Sequence, residues 1–244
     1  MSGVWAVFYR EMLILRGRLG RQLANYAISP LLYVIAFGWG MGRGVRMEGV
    51  DYLAFMLPGL MALSSMNRSF GMASELNIAR FYWHTFEEFQ TAPIGAAAVA
   101  LGEVAAGVAR ALLAAVVVAA LALVGGVGLD LGPVLWLAVI ANGFMFGAAA
   151  VCAAMIVRTH ADQANLTGFI ITPMSFLCGT FFSLEAMPPW AATIIQILPL
   201  TQASHCIRAA ALDQPTPWLA WAAMGLYCVA FFALAVWRVR QASV

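Results

Sequence analysis

Six stretches of the chain are long and apolar enough, or nearly so, to cross a bilayer as helices: residues 24–42, 52–74, 96–124, 133–157, 165–182 and 218–237. Spanning roughly 30 Å of hydrocarbon takes about 20 residues at 1.5 Å each. Short polar segments separate most of these stretches. Ahead of the first, Trp5, Phe8, Met12, Leu15 and Leu19 recur at steps of three and four, a single stripe on a helix. Arg10 and Arg21 point the opposite way, and Arg16 flanks the stripe, where its stem can snorkel. The pattern predicts an amphipathic helix over residues 1–23, lying in the headgroup plane and leading into the first span. With Arg10, Arg16, Arg18 and Arg21 it is too polar for a cleavable signal peptide.

Between the second and third apolar stretches, Glu75–Gly95 gathers charge, aromatic residues and helix signals. Thr85-Phe86-Glu87-Glu88 fits a capping box, in which the threonine hydroxyl and the Glu88 carboxylate satisfy free N–H groups at a helix start. Two carboxylates in the first turn also suit the positive end of the helix dipole. Pro93 ends the helix, and Gly95 releases the chain into the next apolar run. Tyr82, Phe86 and Phe89 fall at i, i+4 and i+7, giving an aromatic face with Glu87 off it. Such a helix either rests on lipid or presses its aromatic face against a partner.

The connection from the fifth stretch to the sixth is built differently. Ser183–Pro217 contains Pro188-Pro189-Trp190, the apolar run Ala191–Leu198, then Pro199 and Thr201–Leu212. These pieces are too short to span and too apolar for water. They read either as two re-entrant half-helices dipping into the outer leaflet or as a helix capping the outer side of the domain.

Composition supports a polytopic membrane protein: 63% of the 244 residues are hydrophobic and 10% charged, against about 25% charged in soluble domains. All 13 basic residues are arginine. Placing the N-terminus in the cytoplasm puts Arg10, Arg16, Arg18, Arg21, Arg80, Arg158, Arg238 and Arg240 inside, and leaves only Arg43, Arg46 and Arg208 outside. Both termini and the Glu75–Gly95 loop are then cytoplasmic. Cys152, Cys178, Cys206 and Cys228 lack ligand spacing and read as buried thiols, with a Cys178–Cys206 bridge on the outer face left open.

Polar residues at membrane depth are costly and are functional candidates. Asn67 and Arg68 lie near the inner end of the second span, and Glu103 lies roughly 12 Å into the third from the same side. The similar depths predict an Arg68–Glu103 ion pair joining the two helices that flank the loop. Arg110 shares a face with Glu103 seven residues away, too far for direct contact, and stands free to meet anionic cargo or a wet cavity. His84, His160 and His205 are scattered over both sides, so they form no metal or nucleophile cluster, and no G-x-x-x-x-G-K-[ST] phosphate loop occurs. An intramembrane enzyme is therefore disfavoured. A stand-alone secondary transporter or channel remains the alternative, although inverted repeats and paired intramembrane charges are not evident.

Together these features resemble the type-2 ABC transporter permease family, exporters of drugs, lipids and polysaccharides. The segments that carry the likeness are Tyr52-Leu53-Ala54-Phe55-Met56-Leu57-Pro58-Gly59-Leu60, Thr85 to Ile94, and Phe182-Ser183-Leu184-Glu185-Ala186-Met187-Pro188-Pro189-Trp190, followed by Leu198-Pro199-Leu200-Thr201. They look like the subgroup that includes the rhizobial nodulation-factor exporter permease. The resemblance implies an all-α integral membrane fold: six transmembrane helices, an N-terminal amphipathic interfacial helix, a cytoplasmic coupling helix and extracytoplasmic re-entrant half-helices. It implies a homodimer in the bacterial inner membrane that recruits two copies of a separate ATPase. ATP and Mg would bind there, with no cofactor on this chain. Carried over residue by residue, Thr85, Phe86, Glu87, Glu88, Phe89, Gln90 and Thr91 would dock the ATPase, with the N-terminal helix alongside. The outer re-entrant segment holds Phe181, Phe182, Pro188, Pro189 and Trp190, whose aromatic rings suit contact with lipid or a lipid-linked glycan or form an aromatic belt that meets no cargo.

Overall fold

The computed structural model describes residues 2–42, 44–82, 94–184 and 187–242. Helix α1 (Ser2–Gly17) is followed at once by α2 (Leu19–Tyr33), which widens into a π-type stretch over Val34–Met41. Gly38 and Gly42 lie in and just after that stretch, and each meets the start of the next helix. A Cβ at Gly38 would lie 2.3 Å from Leu53 Cδ2, and one at Gly42 would lie 2.4 Å from Tyr52 Cδ1. A small antiparallel hairpin follows, β1 (Arg46–Met47) against β2 (Val50–Asp51), with Arg46 opposite Asp51. Its turn places Glu48 at φ 49° and Gly49 at φ 81°, the left-handed pair that a tight hairpin requires.

Helix α3 (Tyr52–Phe81) runs for 30 residues, beyond the expected end of its apolar stretch at 74. Then come α4 (Ala96–Val124), α5 (Pro133–Ile156), and α6 (His160–Leu166), whose cap Thr159 accepts from the Asp162 amide. The chain continues through a π-type stretch, Thr167–Ile171, into α7 (Thr172–Leu177). Pro173 explains the widened turn: it has no N–H to offer the carbonyl four residues back, and its ring crowds that turn. Helices α8 (Pro189–Gln196) and α9 (Pro199–Ala211) each begin on a proline in the first turn, where the missing N–H costs nothing. Helix α10 (Trp218–Ala242) closes the fold.

At the centre α3, α4 and α5 pack on one another, with α10 against α5 and α4, and α9 against α3, α5 and α10. Small residues bring the three central helices together. A Cβ on Gly107 would meet Ser69 Oγ at 2.8 Å and Met72 Sδ at 3.0 Å, and one on Gly143 would meet Ala111 Cβ at 2.7 Å. Polar groups fix the α3–α5 register: Ser69 Oγ donates to Gly143 O at 2.6 Å, and Asn142 Nδ2 donates to Ala62 O at 3.0 Å and Ser65 Oγ at 2.7 Å. At the C-terminal end of α5, Arg80 donates to Met155 O and Asn77 to Val157 O, each at 2.8 Å. Two carbonyls that a helix terminus leaves without partners are thereby satisfied, one of them by a cation. Among the described residues α4, α5 and α10 are long and apolar enough to cross a membrane. All four cysteines are free thiols, so Cys178 and Cys206 are not bridged.

Candidate functional site

The N-terminal helix is held by a charge. In α1 the side that faces α4 carries Val7, Glu11 and Leu15, all buried, whereas Trp5, Tyr9 and Leu13 are exposed. The expected stripe of Trp5, Phe8, Met12, Leu15 and Leu19 is therefore rotated partly away from the protein, and Trp5 and Leu19 lie on the surface. Backbone proximity explains the rotation. At Gly102, a Cβ would lie 2.7 Å from Val7 Cβ and 3.0 Å from Val4 O, so α4 admits α1 closely along the Val4–Val7–Glu11 side.

Glu11 then meets Arg110 on α4. Arg110 Nη2 donates to Glu11 Oε2 and Nη1 to Glu75 Oε2 on α3, both at 2.9 Å. One guanidinium fork thus joins three helices distant in sequence, a geometry that suits arginine and that lysine does not reproduce. Arg10 reaches Glu11 Oε1 at 3.2 Å. Burial pushes the Glu11 carboxyl above the usual carboxylate range, and Arg110 and then Arg10 pull it back. Arg110 is thus not free to wait for cargo but is the knot of this clamp, and of the two expected surroundings it is the cavity that it lines.

The expected Arg68–Glu103 pair does not form. Arg68 turns toward α2, where Nη2 donates to Asn25 O at 2.7 Å and the guanidinium lies 4.3 Å over the Tyr26 ring. Glu103 is 1% exposed, and neither carboxylate oxygen has a hydrogen-bond partner among the described residues. Matching depth placed the two residues at one level but left their directions around the helix axes free, and those directions differ. Beside the clamp lies a cavity of about 260 Å³, lined by Tyr26, Asn67, Arg68, Glu75 and Arg110 among others. Glu103→Gln removes no hydrogen bond and keeps the shape. We expect it to change stability by less than about 1 kcal/mol, since a buried carboxyl without a partner is replaced by an uncharged isostere. A marked loss of thermal stability in detergent would show instead that Glu103 holds a partner.

The expected docking helix, Thr85–Thr91, lies outside the described residues. Its flanks are described: Tyr82 is exposed, and Ile94 packs at Gly3 of α1, where a Cβ would meet Ile94 Cγ2 at 2.8 Å. The N-terminal helix therefore sits beside the point where the loop re-enters α4. In the segment expected on the outer side, Pro188 and Pro189 open α8, and Trp190 is 70% exposed. Phe181 is turned inward, with ring centroids 5.1 Å from both Tyr33 and Phe37, and Phe182 is half-buried. Of this aromatic set Trp190 is the most exposed side chain.

Glu11 and Glu75 carry no pairing signal in the apolar pattern or in any motif. One hint was present for Glu11: it is the only acid in the first 47 residues, set in a helix of arginines.

Residues 2–212 match the family model described as ABC-2 type transporter. The chain is 26% identical over 183 residues to the inner membrane transport permease YadH of Escherichia coli (strain K12), covering 74% of this chain and 71% of that one. It is 30% identical over 202 residues to nodulation protein J of Rhizobium meliloti (strain 1021), covering 79% and 74%. To nodulation protein J of Neorhizobium galegae it is 29% identical over 247 residues, 97% of this chain and 92% of that one. A helical membrane bundle with its N-terminal helix clamped against α4, matched over most of its length by that model, belongs to the ABC-2 type transporter family, as a membrane subunit of an ABC exporter.

Proposed function

We propose that two copies of this chain form the membrane path of an exporter of amphiphilic molecules in the bacterial inner membrane, driven by two copies of a separate ATPase that binds ATP and Mg. The observation that carries this reading is the inner clamp. Arg110 ties the N-terminal helix and the inner end of α3 to α4, around the loop that would meet the ATPase. A push on that loop is then delivered to three helices at once. Six spans follow when α2 with its widened continuation, α3, and α6–α7 are counted with the three most apolar helices. The arginine distribution favours cytoplasmic termini. Exposed apolar residues on α2 (Ile28, Leu32) and on the stretch after α6 (Phe169, Ile170) offer surface for a second copy.

The likeness to nodulation protein J favours a lipid-linked saccharide over a drug as cargo. With the permease and its ATPase reconstituted in liposomes, glycolipids are expected to stimulate ATP hydrolysis severalfold, and cationic drugs to have little effect. Stimulation by drugs alone would overturn the saccharide assignment. Stimulation by neither would overturn export of amphiphiles.

A further inference from the structure

Past α7 the chain leaves regular structure while it is still buried. Cys178, Thr180, Phe181 and Ser183 are all buried, yet Cys178–Ser183 forms no helix. Carbonyl groups freed in apolar surroundings need donors from elsewhere in the protein. Two side chains supply them. Tyr52 OH, at the start of α3, donates to Phe181 O at 3.0 Å. Arg208 of α9, 5% exposed, donates through Nη2 to Gly179 O and through Nε to Phe55 O of α3 at 3.3 Å. Its guanidinium also lies 3.9 Å over the Phe55 ring. One helical turn further along α3, Gly59 lets the irregular backbone rest directly on the helix. A Cβ there would stand 2.9 Å from Thr180 Cα, 3.0 Å from Thr180 O and 3.1 Å from Arg208 Nη2.

We infer that Arg208 is the positioning residue that makes the outer segment Cys178–Ser183 move with α3, so that displacement begun at the inner loop reaches the outer mouth of the transport path. Helix α3 is gripped at both ends: Glu75 by Arg110 inside, Phe55 and Gly59 by Arg208 and Thr180 outside. Twenty residues separate Phe55 from Glu75, or about 30 Å of continuous helix. A rod of that length passes axial shifts and rotations across the bilayer, provided that something at its outer end is fastened to it. Arginine suits the fastening because its planar fork offers donors in two directions, toward α3 and toward Gly179, while its face stacks on Phe55.

The inference rests on the transport reading, but the labelling arm of its test does not need the cargo. Cys178 is fully buried in the fastened segment and serves as a native reporter. In a variant that keeps only this cysteine, with Cys152, Cys206 and Cys228 replaced by Ala, a membrane-impermeant maleimide added outside should label Cys178 slowly. Arg208→Gln is expected to raise that rate about tenfold or more by making local opening cheaper. Arg208→Lys should fall between the two. In the complex with the ATPase, Arg208→Gln should leave ATP hydrolysis within about twofold while transport drops about tenfold. Gly59→Ala, with Arg208 intact, should reproduce the labelling gain by pushing Thr180 off α3, and it decides the matter if Arg208→Gln fails to assemble. Unchanged Cys178 protection in the assembled variants overturns the fastening. A complex that moves no amphiphile even with Arg208 in place overturns the export reading and leaves the labelling result standing.

Discussion

Arg110→Gln is expected to destabilise the permease by about 3–5 kcal/mol, the usual cost of stranding buried partners of an ion pair. Glu11 is the residue that suffers. Its side chain is 10% exposed and its burial is opposed chiefly by Arg110, whereas Glu75, at 58%, can turn to water. The loss should therefore be much smaller in the double variant Glu11→Gln with Arg110→Gln, where the buried carboxylate goes together with its partner and Glu75 can reach water. Glu75→Gln alone should cost under about 1 kcal/mol, in the range of exposed ion pairs. Thermal unfolding in detergent, followed for the four proteins, gives the comparison. A drop on the order of 10 °C for Arg110→Gln is expected, taking a few degrees per kcal/mol for a chain of this size. Transport should fall in both variants that lack Arg110, the stable double variant included, because α1 detached from Arg110 no longer holds its place on α4. Equal stability of Arg110→Gln and the parent would mean that the clamp carries no energy and cannot couple the loop to the helices.

The pattern of this clamp explains what a sequence shows and what it hides. Helix starts were legible where chemistry is local: Gly95 and Gly132 stand just before α4 and α5, and Pro189 and Pro199 open α8 and α9. Partners were not. Arg110 and Glu11 are 99 positions apart, and their meeting depends on how α1 rolls on α4 at Gly102. The stripe of Trp5, Phe8 and Met12 describes which side of α1 is apolar. It does not say which side is covered, because in a membrane an apolar side has two acceptable neighbours, protein and lipid. Depth likewise misled for Arg68 and Glu103, since rise along a helix fixes height and not direction. Arg208 is legible in the sequence only as an outside charge. Its role needs the broken backbone at Gly179, which no periodicity reveals.

Reversing both carboxylates of the loop, Glu87→Lys with Glu88→Lys, is expected to weaken the hold of the ATPase about a hundredfold while the permease stays folded and paired. In the proposed docking, two attractive charges at the rim of the ATPase groove would become two repelling ones, and truncating one partner of such a pair already costs about 2–5 kcal/mol when it is desolvated. If Thr85–Thr91 forms the helix that its sequence predicts, the reversal would also place two cations at the positive end of that helix, at about 0.3–1 kcal/mol each, and would remove the Glu88 arm of the expected capping box. Glu87→Gln with Glu88→Gln separates these effects. The neutral pair loses attraction but adds no repulsion, and glutamine at position 88 can still close the box. Binding of purified ATPase to the permease in nanodiscs should fall modestly for the glutamine pair and steeply for the lysine pair, with transport following binding. Salt should act on the two proteins in opposite directions: raising ionic strength weakens binding of the parent and relieves the lysine variant, because rim charges act over about a Debye length. If the lysine variant binds ATPase and transports as the parent does, the loop rests on lipid, and the motion that α3 carries must begin elsewhere, at α1 and its clamp.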